Sequence, residues 1–151
     1  MNRLTTNTFN WRTAWLCLVA VFLAYSASLA YRVVVRYDSN ITGLFCVGDK
    51  EPLPASLASE SIYVHRGWIG YDGQFTLFLA YDPLLKSDPL RSFDSRAYRY
   101  QRIGLPMLAH ILALGNERAI PYAVVGVNLA AFLLGGWFFL RILDHLNTSP
   151  W

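Results

Sequence analysis

The chain has 151 residues, 54% of them hydrophobic and only 15% charged, with a formal net charge of +3. Soluble domains carry about a quarter charged residues, so this composition points to a membrane before a water-soluble core. The small basic excess is mostly arginine and suits a bilayer surface or phosphate groups; without a dense Lys/Arg run or an aromatic-basic platform, it argues against nucleic acid as a partner.

Residues 1–13 read as a cytoplasmic segment carrying Arg3 and Arg12. Residues 14–31 contain no charge and read as a first transmembrane helix. About 20 apolar residues cross a bilayer core, with a range of roughly 17–25. Trp11, Trp15, Tyr25 and Tyr31 stand near its ends as interfacial anchors. A cleaved signal peptide is the rival reading, because "SASLAYR" sets Ser28 and Ala30 at the positions that precede such a cleavage site. The membrane-like segments downstream favour a retained helix.

Residues 32–97 read as a large extracytoplasmic loop with apolar pieces embedded in it. "ITGLFCVG" suits a short strand or an extended segment, and "EPLPASLASES" reads as irregular. In "GQFTLFLAYDPLL", Phe75, Phe78 and Leu79 fall near one helical face, which predicts an amphipathic helix lying in the bilayer surface; a small soluble core would use the same pattern. Residues 98–115 predict a second transmembrane helix if Arg99 and Arg102 snorkel to the interface, or a re-entrant one if only the uncharged part enters. Pro106 lies near its start, where a helix tolerates proline, and Gly115 with Asn116 makes a stop.

Residues 119–140 form the clearest span, uncharged between Arg118 and Arg141. Gly126 and Ala130 are spaced for close helix packing, as are Ala131 and Gly135, and Asn128 offers an inter-helix hydrogen bond. A partner membrane protein supplying further helices would pack there. Residues 141–151 make the tail, whose side of the membrane depends on whether the middle segment crosses. The expected fold class is thus an all-α membrane protein with about three transmembrane helices and a large extracytoplasmic loop containing an interfacial amphipathic helix.

The chemistry of the loop centres on "IGYDGQFTLFLAYDP". Asp72 precedes the oily helix, and Asp38 follows the first helix closely. A carboxylate near low dielectric can serve as a general base. Asp72 before Gly73 also suits an ordinary helix N-cap, worth about 0.5–2 kcal/mol, and Asp38 can simply pair with Arg36. Arg96, Arg99 and Arg102 are spaced by three, so a helix sets them near one face. Such a face can hold a phosphate, or anchor a helix to lipid phosphates. Cys17 and Cys46 lie in different settings, and His65, His110 and His145 are scattered, so neither a disulfide framework nor a metal site is expected. No cofactor is identifiable.

"FCVGD", "GYDGQF" with a following "DP", and "YRYQRIGLP" together resemble the N-terminal region of a group of multi-pass bacterial membrane proteins. That group looks like the C-superfamily glycosyltransferases, which use polyprenyl-phosphate-linked sugar donors. The resemblance covers most of the chain from the first helix to the third. It implies a place in the bacterial inner membrane, with Asp72 or Asp38 as catalytic base and Arg99 and Arg102, with Arg96, on the donor's phosphate. Members of the group usually have eight or more membrane helices, and about three are expected here. The sequence therefore reads as the N-terminal part of such an enzyme, truncated or split, with a non-enzymatic membrane subunit as the alternative.

Overall fold

The computed structural model describes residues 10–86 and 96–146, which fall into two compact units. The chain is mostly helical, and two of its helices are long and apolar enough to cross a membrane.

The first unit takes in residues 10–28 and 128–146 and is built from most of α1 (Trp11–Tyr31) and α5 (Ile120–His145). At 1.5 Å per residue α1 is about 31 Å long, matching a hydrocarbon core of about 30 Å. The two helices meet through small and aromatic residues. Phe132 stacks on Phe22 and Tyr25, with ring centroids 6.3 and 6.2 Å apart. The Arg141 guanidinium lies 5.8 Å from the centre of the Trp11 ring. Gly136 admits the Leu18 side chain, which any Cβ there would strike. Around this seam the surface is apolar on every side: Leu16, Leu23, Leu134 and Phe138 are all exposed. A helix hydrophobic all round belongs in a protein core or a membrane, and these are not in a core. α1 starts at Trp11 rather than residue 14, and α5 runs to His145, so the expected tail begins as helix.

The second unit, Leu29–Val127, is organised around α2 (Asp72–Tyr81). A π-helical turn, Arg32–Arg36, follows α1, and a 3-10 helix, Ile41–Phe45, leads into β1 (Val47–Gly48). β1 pairs in parallel with β2 (Val64–His65), matching Val47 to Val64 and Gly48 to His65. The same stretch also takes up the turn before α2: Lys50 N donates to Trp68 O at 3.2 Å and Tyr71 N to Cys46 O at 3.3 Å. Gly48 is obligatory here, since a Cβ would overlap the backbone of Trp68 and Gly70. α4 (Gly104–Leu112) packs against α2, and His110 Nδ1 lies 2.9 Å from Ala80 O at the end of that helix.

Two expectations are corrected. The α2 segment does not lie on a surface as an amphipathic helix. Gln74, Phe75 and Leu77 to Tyr81 are all buried, and the helix is the centre of a core with Phe45, Val47, Leu57, Ala109 and Ile120. Its apolar residues surround the axis because protein covers it on several sides. Nor is 98–115 one helix. It divides into α3 (Arg96–Tyr100) and α4, with turns at Arg102 and Ile103 between them. Nine residues make α4 about 13 Å long, less than half a bilayer core. The chain then leaves the helix through Leu114 and Gly115 at φ of 51° and 80°.

Candidate functional site

α2 begins at Asp72, but the carboxylate does not cap the helix: Tyr71 holds the N-cap position and no side chain bonds the free amides. Asp72 instead faces α3 and the turn after it. Arg99 Nη1 donates to Oδ1, and Arg102 Nη1 donates to Oδ2 at 2.9 Å. One carboxylate thus bridges two guanidiniums, each oxygen taking one N–H. The break between α3 and α4 lets Arg102 turn onto the same carboxylate as Arg99. The position at the first residue of α2 adds the favourable field of the helix N-terminus.

Each arginine has further support. The Arg99 guanidinium lies 4.0 Å from the centre of the Phe75 ring, a cation–π contact made from a largely buried position, its side chain being only 13% exposed. Arg102 Nη2 donates to Tyr98 Oη at 2.7 Å, so Tyr98 orients the more exposed arginine. The Arg99 hydrogen bond holds the Asp72 carboxyl below its ordinary value of 3.8; partial desolvation opposes this, and the charges of both arginines and the Arg102 bond add to it. A carboxylate so held is a weak base until the arginines let go.

The pair stands at a cleft of about 470 Å³ lined by Glu51, Ile69, Tyr71, Asp72, Phe75 and Arg99 among others. Gln74 forms its floor. That side chain is 1% exposed and held at both ends of its amide: Oε1 accepts from Gly48 N at 3.3 Å, and Nε2 donates to Ile69 O at 3.2 Å. It ties β1 and the preceding turn to α2, and so fixes where Asp72 emerges. Gly70, at φ of 94°, leaves room for it. Trp68 and Tyr71, with ring centroids 5.6 Å apart, stand exposed beside the cleft and continue a run of rings through His65, Tyr63 and Tyr37.

Of the expected site residues, Asp72, Arg99 and Arg102 come together. Arg96 opens α3, and its side chain lies outside the described residues. Asp38 does not join them; it lines a different cleft, and it makes no salt bridge to Arg36. Glu51, Gln74 and Phe75 were not anticipated as site residues, and Tyr98 was expected beside the arginines without a role of its own. Tyr98 carried a local signal, four residues before Arg102, whereas Glu51 and Gln74 reach the cleft only through the β1 pairing. Among the described residues no group of His, Cys, Asp or Glu is arranged to hold a metal ion. In the packing helix, Gly126 and Gly135 face open space. The two are nine residues apart, about two and a half turns, so they lie on opposite sides of the helix. Asn128 and Ala130 are also exposed, and the glycine that receives a neighbouring side chain is Gly136.

No family model, curated protein or solved structure matches the chain.

Proposed function

We propose that the protein is a multi-pass protein of the bacterial inner membrane, crossing through α1 and α5, and that its outer loop forms part of a site for a polyprenyl-phosphate-linked sugar, as in the N-terminal part of a C-superfamily glycosyltransferase. The broken 98–115 segment supports a reading with two crossings rather than three. Arg12 and Arg141 then flank the cytoplasmic ends of the two spans; Arg32, Arg36 and Arg118 stand at the opposite ends, on a segment long enough to cross largely regardless of charge. The observation that carries the catalytic reading is the carboxylate of Asp72 clamped by Arg99 and Arg102 at the mouth of a cleft.

The clamp suits an exchange of ligands. A phosphate oxygen of the donor takes the guanidinium N–H groups from Asp72, for which Arg is well shaped. Freed of its hydrogen bonds, Asp72 becomes a stronger base beside the sugar. The acceptor hydroxyl attacks the anomeric carbon, Asp72 takes its proton, and the polyprenyl phosphate departs with its charge held by the two arginines. Asp72→Asn keeps the shape of the residue and removes the base. Sugar transfer from a synthetic short-chain polyprenyl-phosphate donor, measured with the chain and any co-purifying membrane protein, is expected to fall by about a hundredfold or more in the variant. Undiminished transfer would remove Asp72 from the chemistry.

The second reading is a non-enzymatic subunit packed against a partner membrane protein. The open space at Gly126, with exposed Ala130 one turn on, favours it, since small residues at that spacing admit a neighbouring helix; Gly135, on the opposite side, offers a second such face. Gly126→Leu with Gly135→Leu should then reduce co-purification of the partner, and unchanged recovery counts against it.

A further inference from the structure

A second cleft, of about 520 Å³, opens in the loop unit and is lined by Asp38, Glu60, Tyr81, Arg118 and Tyr122 together with serine hydroxyls. The Asp72 chemistry makes no use of it.

Its wall is rigid. Asn40 Oδ1 accepts from Thr42 N at 3.0 Å and from Thr42 Oγ1 at 2.6 Å, while Asn40 Nδ2 donates to Ser61 O at 2.9 Å. These bonds pin the 38–42 turn to the 59–62 segment. Asp38 and Ser39 are held at φ of 50° and 63°, two successive non-glycine residues in the left-handed region. Such backbone costs on the order of 1–3 kcal/mol per residue and persists only where the surroundings impose it.

Tyr81 brings a directed donor to the cleft. Its ring belongs to the core and the residue is only 9% exposed, while its hydroxyl opens to the cleft and makes no hydrogen bond to the described residues. A phenol anchored in this way keeps its O–H available to a ligand oxygen. Burial, with the charges of Glu60 and Glu117, pushes this phenol up to about 12, so it stays a neutral O–H donor at any physiological pH.

The cleft presents both signs of charge. Asp38 and Glu60 offer carboxylates, Arg118 a guanidinium, and Tyr81 and Tyr122 hydroxyls and ring faces. A ligand with a primary ammonium and a phosphate meets all of them: the ammonium has three N–H donors for the carboxylates, and the phosphate suits arginine and the phenol. A quaternary ammonium has no N–H to give, and a glycerol headgroup has no cation. The walls also come from the ends of the two long helices. Asp38 follows α1 and the π-helical turn, and Arg118 to Tyr122 lead into the first turn of α5. A tyrosine and an arginine at the end of a span mark the headgroup level.

We propose that this cleft binds the headgroup of an aminophospholipid, its ammonium on Asp38 and Glu60 and its phosphate on Arg118 and Tyr81. The proposal rests on the reading that α1 and α5 cross a bilayer.

The test uses the full chain in detergent, with binding of dihexanoyl phosphatidylethanolamine, phosphatidylcholine and phosphatidylglycerol followed by thermal shift. The ethanolamine lipid should bind at least tenfold more tightly than the other two. Asp38→Asn and Tyr81→Phe should each weaken it by about tenfold, the scale of one hydrogen bond to a charged group. Both variants preserve the fold: asparagine tolerates the left-handed backbone, and phenylalanine keeps the core ring. Equal affinity for the three lipids, or variants that bind as well as the parent, overturns the proposal. A shift with free phosphoethanolamine but none with the lipid overturns the lipid as its source. Alkaline carbonate washing separates this from the membrane reading. Release of the chain into the wash overturns both, whereas retention without a preference for ethanolamine overturns the headgroup site alone.

Discussion

The helix pair and the loop unit solve the problem of apolar side chains in opposite ways. In the pair, Ala14 and Leu140 are buried, and most leucines and phenylalanines point outward. In the loop unit, Val47, Leu57, Leu77 and Ala80 are completely buried, and backbone and side-chain hydrogen bonds such as those of Gln74 and Asn40 join distant segments. The second unit, Leu29–Val127, is therefore a folded body with its own core. The helix pair has no such core, and its outward face is stable only against a second apolar medium.

The largest expected effect comes from making the same substitution in both regions. Leu77 is fully buried in α2, whereas Leu16 is 70% exposed on α1. Leu77→Ala should destabilise the loop unit by about 2–5 kcal/mol through lost burial and a cavity. Leu16→Ala should change its stability by less than about 0.5 kcal/mol. Chemical denaturation in detergent, followed by the loop's tryptophan signal, reads both; equal losses would mean that the exposed helix surface has protein against it.

A smaller effect separates two neighbouring glycines. Gly136→Leu puts a side chain where Leu18 already lies and should cost about 1–3 kcal/mol as overpacking. Gly135→Leu enters open space and should be close to neutral for the chain alone. Thermal unfolding of the two variants compares them directly, and a reversed order would put α1 on the other face of α5.

How much of this was legible in the sequence follows from the range of the forces involved. The two long helices were readable because a hydropathy run is a local property. The role of α2 was not: Phe75, Phe78 and Leu79 read as one oily stripe, and only the arrival of Val47, Leu57 and Ala109 from distant segments makes them a core. The choice of Gly136 over Gly135 was equally hidden, because the rotation of a helix is set by its neighbour. The arginine spacing at 96, 99 and 102 predicted one helical face, whereas Arg99 lies on α3 and Arg102 in the turn after it, and the break between α3 and α4 is what brings the two together. Nor could the spacing show that Asp72 occupies them, or that Gln74 sets its position, because both depend on strand pairing between short segments. Asp38 was legible as a residue near the end of α1, but its separation from Asp72 was not.

The smallest effect concerns Asp72 and is the sharpest test of how its clamp with Arg99 and Arg102 is wired. Its carboxyl is held below 3.8 in the folded chain, chiefly by the Arg99 hydrogen bond. A depressed folded value means that the ionised form is favoured by folding. The contribution is present above the unfolded value of 3.8 and is lost as pH falls through the folded one. Carboxylate titration by NMR should therefore show Asp72 protonating below the ordinary range. In Arg99→Gln it should move upward by more than in Arg102→Gln, because the Arg99 bond is the dominant cause and Arg102 is the more exposed partner. The accompanying change in stability is small, because water screens so exposed a pair. The order of the two variants carries the information: if Arg102→Gln moved the titration further, the buried arginine over Phe75 would not be the residue that controls Asp72, and the exchange of Arg99 from carboxylate to phosphate would lose its physical basis.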